Sequence, residues 1–171
     1  MKGENFKIGI ISDTHDNLEN LRKVIFWLKK EDILFLIHCG DVTTFETLKE
    51  ISKSFPRKIY LSLGNVDRDT NLEKYSNFFD NVEIFSEYGE IEVEKKKLAF
   101  SHFPKIAQKL AKTQKYDIVF FGHLHYPSEN KIGKTRLVNP GNLAGLYFKP
   151  SFVLFDAKNE KLELKLVEKI K

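Results

Sequence analysis

The stretch FKIGIISDTH, residues 6–15, decides the fold, because it joins an apolar run directly to a polar cluster. Residues 6–11 are rich in β-branched side chains and predict a buried β-strand that ends at the SDTH cluster. The apolar residues after the cluster recur at helical spacing: Leu18, Leu21, Val24, Ile25 and Leu28. They predict a helix that follows the strand, with Asp16 or Asn17 as its N-cap.

The same alternation of strand and helix repeats further along the chain. Residues 33–38 predict a second buried strand. The residues after it predict a helix that includes Phe45 and runs toward Pro56. Residues 58–63 predict a third strand. The order βαβαβ is typical of a parallel sheet with helices packed on it.

The second half of the chain predicts shorter strands, and some of them are antiparallel. Strands are predicted over residues 83–85, 89–93, 97–101, 118–121, 136–139, 151–155 and 161–167. Lys95-Lys96 is predicted as a hairpin turn, and the last two strands are predicted as a second hairpin. A short helix is predicted over residues 71–79, and another around Ile106, Leu110 and Ala111. The fold class is therefore α/β, with an α+β character in the second half.

Length and composition fit one ordinary globular domain. The 171 residues are 42% hydrophobic and 30% charged, which excludes collagen-like and wholly disordered chains. A single domain over residues 1–171 is expected from this length. The net charge of +4 comes from basic residues that are interleaved with acidic ones, so a nucleic-acid partner is not expected.

Cysteine content and hydropathy indicate the compartment. Cys39 is the only cysteine, which excludes an intramolecular disulfide and fits a reducing environment. Met1 to Asn5 form a short polar start without the features of a targeting signal. No apolar run approaches the roughly 18 residues that a membrane span needs. We therefore expect a cytoplasmic protein with no membrane partner.

Five polar groups carry the chemistry of this sequence. They follow predicted strands: Asp13-Thr14-His15, Gly40-Asp41, Gly64-Asn65, His102 and Gly122-His123-Leu124-His125. In an open α/β sheet, ligands bind in the crevice beyond the carboxyl ends of the strands, so these groups are expected to converge. Each group alone has an ordinary structural explanation as a helix cap, a turn or a polar loop. Their joint placement favours a functional site.

The order of these groups resembles that of the calcineurin-like metallophosphoesterase superfamily. The resemblance runs from Ile8 to about Gly141. The short length, Gly64-Asn65-Val66-Asp67 and Asn139-Pro140-Gly141 are similar to the small single-domain phosphodiesterase branch of bacteria and archaea. The resemblance implies a four-layer αββα sandwich, in which two mixed β-sheets are flanked by helices. It also implies a centre that holds two divalent transition-metal ions.

The resemblance further implies a role for each polar residue. By this carry-over, Asp13, His15 and His125 bind one metal ion, Asn65, His102 and His123 bind the other, and Asp41 bridges them. Carboxylate, imidazole and amide donors without a thiolate suit Mn first, and also Fe, Ni, Co or Zn. Two such ions bridge a hydroxide and clamp phosphoryl oxygens, which makes phosphoester hydrolysis the expected reaction. Asp41, Asn65 and His102 are accordingly expected to act in catalysis as well.

Two positions depart from the superfamily pattern. Many members have a histidine directly after the motif asparagine, where it protonates the leaving group, and this chain has Val66 there. Asp67 is the first candidate to replace that proton donor, although an exposed turn is the favoured interpretation of both Asp67 and Arg68. Relatives of the small branch often carry His-Gly-His where this chain has His102-Phe103-Pro104. This second departure leaves the shape of the substrate pocket open.

Other notable residues have structural interpretations. His38 is expected to be a buried, hydrogen-bonded histidine, and Cys39 a small core residue. Asn139-Pro140-Gly141 is either a turn or a loop near the site. Five aromatic residues are expected to pack in the core or at an interface: Phe120, Phe121, Tyr147, Phe148 and Phe152.

The leading interpretation is a metal-dependent phosphodiesterase that acts on a small-molecule or nucleotide-like substrate. A phosphomonoesterase with the same dinuclear site is the alternative enzyme, and comparing a diester with its monoester under identical metal loading distinguishes the two. A third interpretation is a non-enzymatic interaction module, because a retromer subunit uses a similar fold with a degraded site. All seven ligand positions are filled here, which favours an enzyme. The sequence leaves the oligomeric state open, including a homo-oligomer.

Overall fold

The computed structural model describes residues 6–171, which fold into two β-sheets and their covering helices. The prediction for Met1 to Asn5 lies outside the described residues. The strands are β1 (Lys7–Ile11), β2 (Leu36–His38), β3 (Ile59–Ser62), β4 (Val82–Phe85), β5 (Tyr88–Val93), β6 (Lys96–Ser101), β7 (Ile118–Phe121), β8 (Pro127–Ile132), β9 (Thr135–Pro140), β10 (Ser151–Asp156) and β11 (Lys161–Leu166). The α-helices are α1 (Leu18–Lys30), α2 (Phe45–Ser54), α3 (Asn65–Asp69) and α4 (Pro104–Lys112), and short 3-10 helices lie at Leu72–Tyr75 and Val167–Lys169.

The first sheet contains the parallel half of the fold. Its strand order is β11-β10-β1-β2-β3-β4, in which β1 to β4 are parallel to one another, β10 is antiparallel to β1, and β11 is antiparallel to β10. The predicted βαβαβ order is confirmed, because α1 connects β1 to β2 and α2 connects β2 to β3. The second sheet has the order β5-β6-β7-β9-β8, with parallel β6, β7 and β9 and an antiparallel strand at each edge. Both sheets are therefore mixed.

Alternate side chains of the inner strands face opposite layers of the molecule. Ile10 of β1, Phe100 of β6 and Phe120 of β7 lie in one apolar cluster between the two sheets. Ile11 belongs to the cluster that packs α1 and α2 onto the first sheet. Val119 belongs to the cluster that packs α4 onto the second sheet. The layers run helix, sheet, sheet, helix, which confirms the expected αββα sandwich.

The strands differ from their predictions at two places. The turn between β5 and β6 is Glu94-Lys95 rather than Lys95-Lys96. Both turn residues adopt a left-handed φ, 49° and 61°, as a two-residue hairpin turn of this twist requires. Strand β8 is absent from the predicted elements because its sequence PSENKI is polar, and it forms as an edge strand by pairing with β9.

The helices differ from their predictions in the segment after β3. Helix α3 begins at Asn65 itself, and no apolar period in the sequence indicates it. The helix predicted over residues 71–79 is only the 3-10 helix at Leu72–Tyr75, since Asn71 before it adopts a left-handed φ of 52°. Among the described residues, none of the helices has the length and hydropathy that crossing a bilayer requires.

Candidate metal centre

The predicted ligands meet where the two sheets end. They follow the carboxyl ends of β1, β2 and β3 in the first sheet and of β6 and β7 in the second. The seven residues are Asp13, His15, Asp41, Asn65, His102, His123 and His125. The structure brings all seven together as two adjoining groups, with one carboxylate between them.

The first group consists of Asp13, His15 and His125, whose donor atoms lie close enough to hold one metal ion. Asp13 Oδ1 lies 3.3 Å from His125 Nε2 and 4.0 Å from His15 Nε2. The two imidazoles approach each other to 3.4 Å between their Nε2 atoms. Both histidines come from loops that continue parallel strands, one in each sheet. The first group therefore spans the two sheets.

The second group consists of Asn65, His102 and His123. His102 Nε2 lies 3.1 Å from Asn65 Oδ1 and 3.1 Å from His123 Nδ1. His123 Nδ1 lies 3.2 Å from Asn65 Oδ1, so the three donor atoms form a nearly equilateral triangle. Its members also come from both sheets.

Asp41 lies between the two groups. Its Oδ2 atom is 3.6 Å from His15 Nε2 and 3.4 Å from His102 Nε2. Its Oδ1 atom accepts the backbone N–H of Val66 at 3.0 Å, which fixes the orientation of the carboxylate. One carboxylate oxygen of Asp41 thus forms a hydrogen bond with the backbone, and the other oxygen faces both groups.

The donor set fits divalent metal ions because acceptors face acceptors. His102 Nδ1–H donates to the carbonyl of Cys39 at 2.8 Å, so in the neutral ring Nε2 carries a lone pair. That lone pair faces oxygens of Asp41 and Asn65 that can only accept. In His125, the buried Nδ1 atom has no hydrogen-bond partner among residues 6–171. A cation among these atoms removes the repulsion, and carboxylate, imidazole and amide donors suit Mn, Fe, Ni, Co or Zn.

The backbone is strained at most of these residues. A left-handed φ occurs at Asp13 (52°), His15 (42°), Asp41 (59°), His123 (71°) and His125 (61°). Such conformations cost about 1–3 kcal/mol each and persist only when surrounding contacts enforce them. The carbonyl of Asp41 supplies such contacts, since it accepts the backbone N–H groups of Thr14 and His15. The loops after β1 and β2 therefore hold each other in place.

Burial and neighbouring charges shift the pKa values in this cluster. Burial raises the pKa of Asp41, although the charge of His102 opposes this shift. Burial also acts to raise the pKa of Asp13, but the hydrogen bond with His125, the charge of His102 and the hydrogen bond from Ser12 together lower it. The same bond to Asp13 raises the pKa of His125. Burial lowers the pKa of His123. Asp13 therefore stays ionised and paired with His125.

Asp67 is a positioning residue rather than an exposed turn residue. It is fully buried, and its Oδ2 atom accepts the N–H groups of Asp41 and Gly64 at 2.8 and 2.9 Å. Its Oδ1 atom accepts the N–H of Thr43 at 2.9 Å. The exposed-turn prediction is wrong here because α3 begins at Asn65 and turns its third residue beneath the preceding loop. Both oxygens thus hold the backbone around Asp41.

Arg68 is exposed, as predicted, but two contacts hold its side chain. Its guanidinium donates to the carbonyl of Ser86 at 2.6 Å and lies 5.4 Å from the ring centroid of Phe103. Phe103 in turn packs edge-on against His102, with ring centroids 5.0 Å apart. A positive charge therefore sits one aromatic ring away from the second group.

His38 is a buried, hydrogen-bonded histidine, as predicted, and it contacts residues next to Asp41 and Asp13 in the sequence. Its Nδ1 atom accepts the N–H of Gly40 at 3.1 Å, so Nε2 carries the proton and donates to the Thr14 hydroxyl at 2.8 Å. Complete burial lowers the pKa of His38 to about 4, which keeps the ring neutral. Cys39 is also buried in the core, as expected, and burial raises the pKa of its thiol.

Two asparagines anchor the loops that carry the histidines. Asn139 lies near the site, since its Nδ2 atom donates to the carbonyl of Gly122 at 3.0 Å. Asn142 was not among the predicted site residues, yet it is buried and donates to the carbonyl of His125 at 2.8 Å. Its position directly after Pro140-Gly141 could have indicated this role, because an asparagine next to a turn often forms hydrogen bonds with nearby backbone groups.

The glycine before Asn65 is required by a close approach. A Cβ atom at Gly64 would lie 2.0 Å from Asp41 Oδ1 and 2.7 Å from the Asp41 backbone nitrogen. We expect Gly64→Ala to displace the Asp41 carboxylate and to weaken metal binding about 10–100-fold, as loss of a supporting contact does. Titration of the protein with the metal ion in a calorimeter measures this change in affinity.

Gly133→Ala is the matched control for this prediction. The added Cβ atom there overlaps only the flexible side chain of Gln114, in the turn between β8 and β9. We expect that variant to lose some stability and to keep its metal affinity. Equal metal affinity of Gly64→Ala and the unaltered protein would show that Gly64 is not needed to seat Asp41.

Fold and donor set together define a class of protein. Paired groups of carboxylate, imidazole and amide donors serve metal-dependent cleavage of phosphate esters, in which cations neutralise the phosphoryl oxygens. Comparison with known families agrees with this chemistry. The calcineurin-like phosphoesterase superfamily domain matches residues 6–160, so the chain belongs to that superfamily and is a phosphoester hydrolase.

Individual relatives are similar over most of their length. A phosphodiesterase of Methanocaldococcus jannaschii is 30% identical over 142 residues, which cover 81% of this chain and 85% of that protein. A solved structure of an archaeal phosphodiesterase superposes with a TM-score of 0.83 at 27% identity, covering 94% of this chain and 99% of the other. Vacuolar protein sorting 29 of Cryptosporidium parvum shares the fold, with a TM-score of 0.66 at 17% identity over 95% of this chain and 96% of its own.

Proposed function

We propose that this protein is a metal-dependent phosphodiesterase with a dinuclear centre. In this proposal the first group, Asp13, His15 and His125, binds one divalent ion, and the second group, Asn65, His102 and His123, binds the other. Asp41, whose Oδ2 atom faces both groups, would serve as a ligand to both ions. The observation that carries the proposal is that the lone pair of His102 Nε2 faces acceptor oxygens of both Asp41 and Asn65.

The chain's own residues orient the centre and the substrate. Bound ions supply water activated to hydroxide near neutral pH and positive charge for the phosphoryl oxygens, with Mn as the first candidate metal. Asp41, Asn65 and His102 would hold ions that bind the phosphate of the substrate. The N–H of Val66 and the buried Asp67 keep Asp41 in that orientation. No proton donor to the leaving group follows Asn65, because that position is Val66.

The proposal extends to the domain, the substrate class and the compartment. We treat residues 1–171 as one metallophosphoesterase domain, since the family match covers residues 6–160. A small-molecule or nucleotide-like diester is the proposed substrate, in keeping with a relative named as a phosphodiesterase. The unpaired, buried Cys39 supports a reducing compartment, the cytoplasm.

Two alternative functions are an interaction module and a phosphomonoesterase. The donor set argues against the first of them. An interaction module on this fold has no need of seven intact donors, and all seven are present and oriented here. A phosphomonoesterase would use the same donors, so only a comparison of substrates distinguishes it from a phosphodiesterase.

Metal analysis combined with a substrate panel tests the proposed function. We expect two divalent ions per chain and faster hydrolysis of bis(p-nitrophenyl) phosphate than of p-nitrophenyl phosphate under identical metal loading. Faster cleavage of the monoester would make the protein a phosphomonoesterase. Absence of hydrolysis of both esters with every candidate metal would favour an interaction module.

Chelation is expected to inactivate the protein without unfolding it. Three apolar clusters hold the layers together independently of the donor atoms, unlike a zinc finger, whose core depends on its metal. Circular dichroism after dialysis against a chelator should therefore match that of the loaded protein at ambient temperature. Loss of secondary structure on chelation would show that the donors carry the fold.

A further inference from the structure

Exposed aromatic side chains lie on one side of the metal centre. Tyr147 is 92% exposed, Phe148 47% and Tyr126 41%, and we call these three residues the aromatic platform. The rings of Tyr147 and His125 lie 6.3 Å apart between centroids, and those of Tyr126 and Phe148 lie 5.8 Å apart. Of the two predicted places for Tyr147 and Phe148, the core is therefore wrong and an interface stays a prediction, and the ring of Tyr147 borders the candidate ligand His125.

The loop that carries Tyr147 and Phe148, two of the three platform residues, is fixed to the first group. The N–H groups of Leu143 and Ala144 donate to the carbonyl of Asp13 at 3.2 and 3.0 Å. Asn142 bonds both to the carbonyl of His125 and to the N–H of Gly145, at 2.8 and 2.6 Å. The position of the platform relative to the donors is therefore set by the fold.

Folding alone does not explain Tyr147. Its φ of 63° lies in the left-handed region, which bulky side chains rarely occupy. Its ring is almost fully exposed, so burial does not offset the strain. Strained, exposed residues beside an active centre commonly contact a ligand.

We propose that the aromatic platform stacks on a flat ring of the substrate, so that the substrate is a phosphodiester that carries a nucleobase. This inference rests on the proposed function. A phosphate at the proposed centre would lie within reach of His125, and the ring of Tyr147 is an exposed aromatic surface next to that histidine. Every base offers a π-face, so stacking on tyrosine tolerates different bases.

Two ligands that differ only in the base test this proposal. Adenosine 5′-monophosphate and ribose 5-phosphate present the same phosphate and sugar, and only the first carries adenine. Calorimetry on the metal-loaded protein should show that adenosine 5′-monophosphate binds at least about fivefold more tightly, the lower end of a stacking contribution. Tyr147→Ala should remove this preference, and Tyr147→Phe should keep it because the π-face remains.

Phe26→Ala is the control, since Phe26 is an exposed aromatic residue on α1 outside the platform. It should leave both affinities unchanged. Equal affinities in the unaltered protein, or a preference for adenine that persists in Tyr147→Ala, would overturn the proposal.

Sedimentation of the unaltered protein and of Tyr147→Ala provides a second readout. An oligomer that dissociates on Tyr147→Ala would assign the platform to contact with a second copy and overturn base stacking. Failure of the proposed function is distinguishable, because it is measured separately, as absence of bis(p-nitrophenyl) phosphate hydrolysis by the loaded protein. Hydrolysis without a preference for adenine would overturn this inference alone.

Discussion

Asp41→Ala is expected to remove metal from both groups and to abolish hydrolysis. Oδ2 of Asp41 lies 3.6 Å from His15 Nε2 and 3.4 Å from His102 Nε2, so its loss leaves both groups one donor short. Changes to supporting contacts around a metal typically cost about 10–100-fold, and a shared ligand should cost more than that. Mass spectrometry of the metal content and kcat for bis(p-nitrophenyl) phosphate measure the two effects.

His125→Ala is the matched comparison for Asp41→Ala. His125 contacts Asp13 and His15 within the first group, so its loss should weaken mainly one ion. The backbone N–H of Asp41 still donates to Asp67 in the alanine variant, which should keep the loop after β2 folded. Two metals per chain with near-normal turnover in Asp41→Ala would rule out the dinuclear proposal.

A steep dependence on the leaving group is the second large effect. The apolar side chain of Val66 cannot protonate a departing oxygen, and Asp67 uses both carboxylate oxygens to accept backbone N–H groups. General acid catalysis typically contributes about 10²–10⁴ in rate. Without a proton donor, alkyl esters should therefore lose up to about that factor in rate beyond the intrinsic difference between an alkoxide and a nitrophenolate leaving group. Rates for a series of aryl methyl phosphates, plotted against leaving-group pKa, should slope strongly downward.

Two variants at position 66 isolate this effect. Val66→His should flatten the plot, provided that the variant folds and binds metal as measured by calorimetry. Val66→Ala is the control, because it keeps the backbone N–H that donates to Asp41 and adds no proton donor. A shallow slope in the unaltered protein, with chemistry shown to limit the rate, would mean that another residue supplies the proton.

The parallel half of the fold and the positions of the ligands could be predicted from the sequence. Buried parallel strands appear as apolar runs, and each run here stops at a polar group such as Asp13 or Asp41. Since parallel strands end at the same edge of a sheet, those groups had to be neighbours. Local pattern and topology therefore agree at these residues.

Features that depend on distant contacts could not be read from local pattern. Strand β8 has a polar sequence and exists only because β9 pairs with it. Asp67 follows a turn-like tetrapeptide, and its burial depends on backbone N–H groups that come from another loop. The exposure of Tyr147 depends on a loop anchored to Asp13, more than a hundred residues earlier in the chain. In each case a partner remote in sequence decides the outcome.

The candidate metal centre takes donors from both sheets, although no strand pairing joins the two sheets within residues 6–171. Side chains such as Phe100 and Phe120 fill the space between them. The thickness of this apolar layer therefore sets the distance between donor atoms that come from the first sheet and those that come from the second. A change in the volume of these interlayer side chains is therefore expected to alter the spacing of the candidate donors while every donor residue stays unchanged.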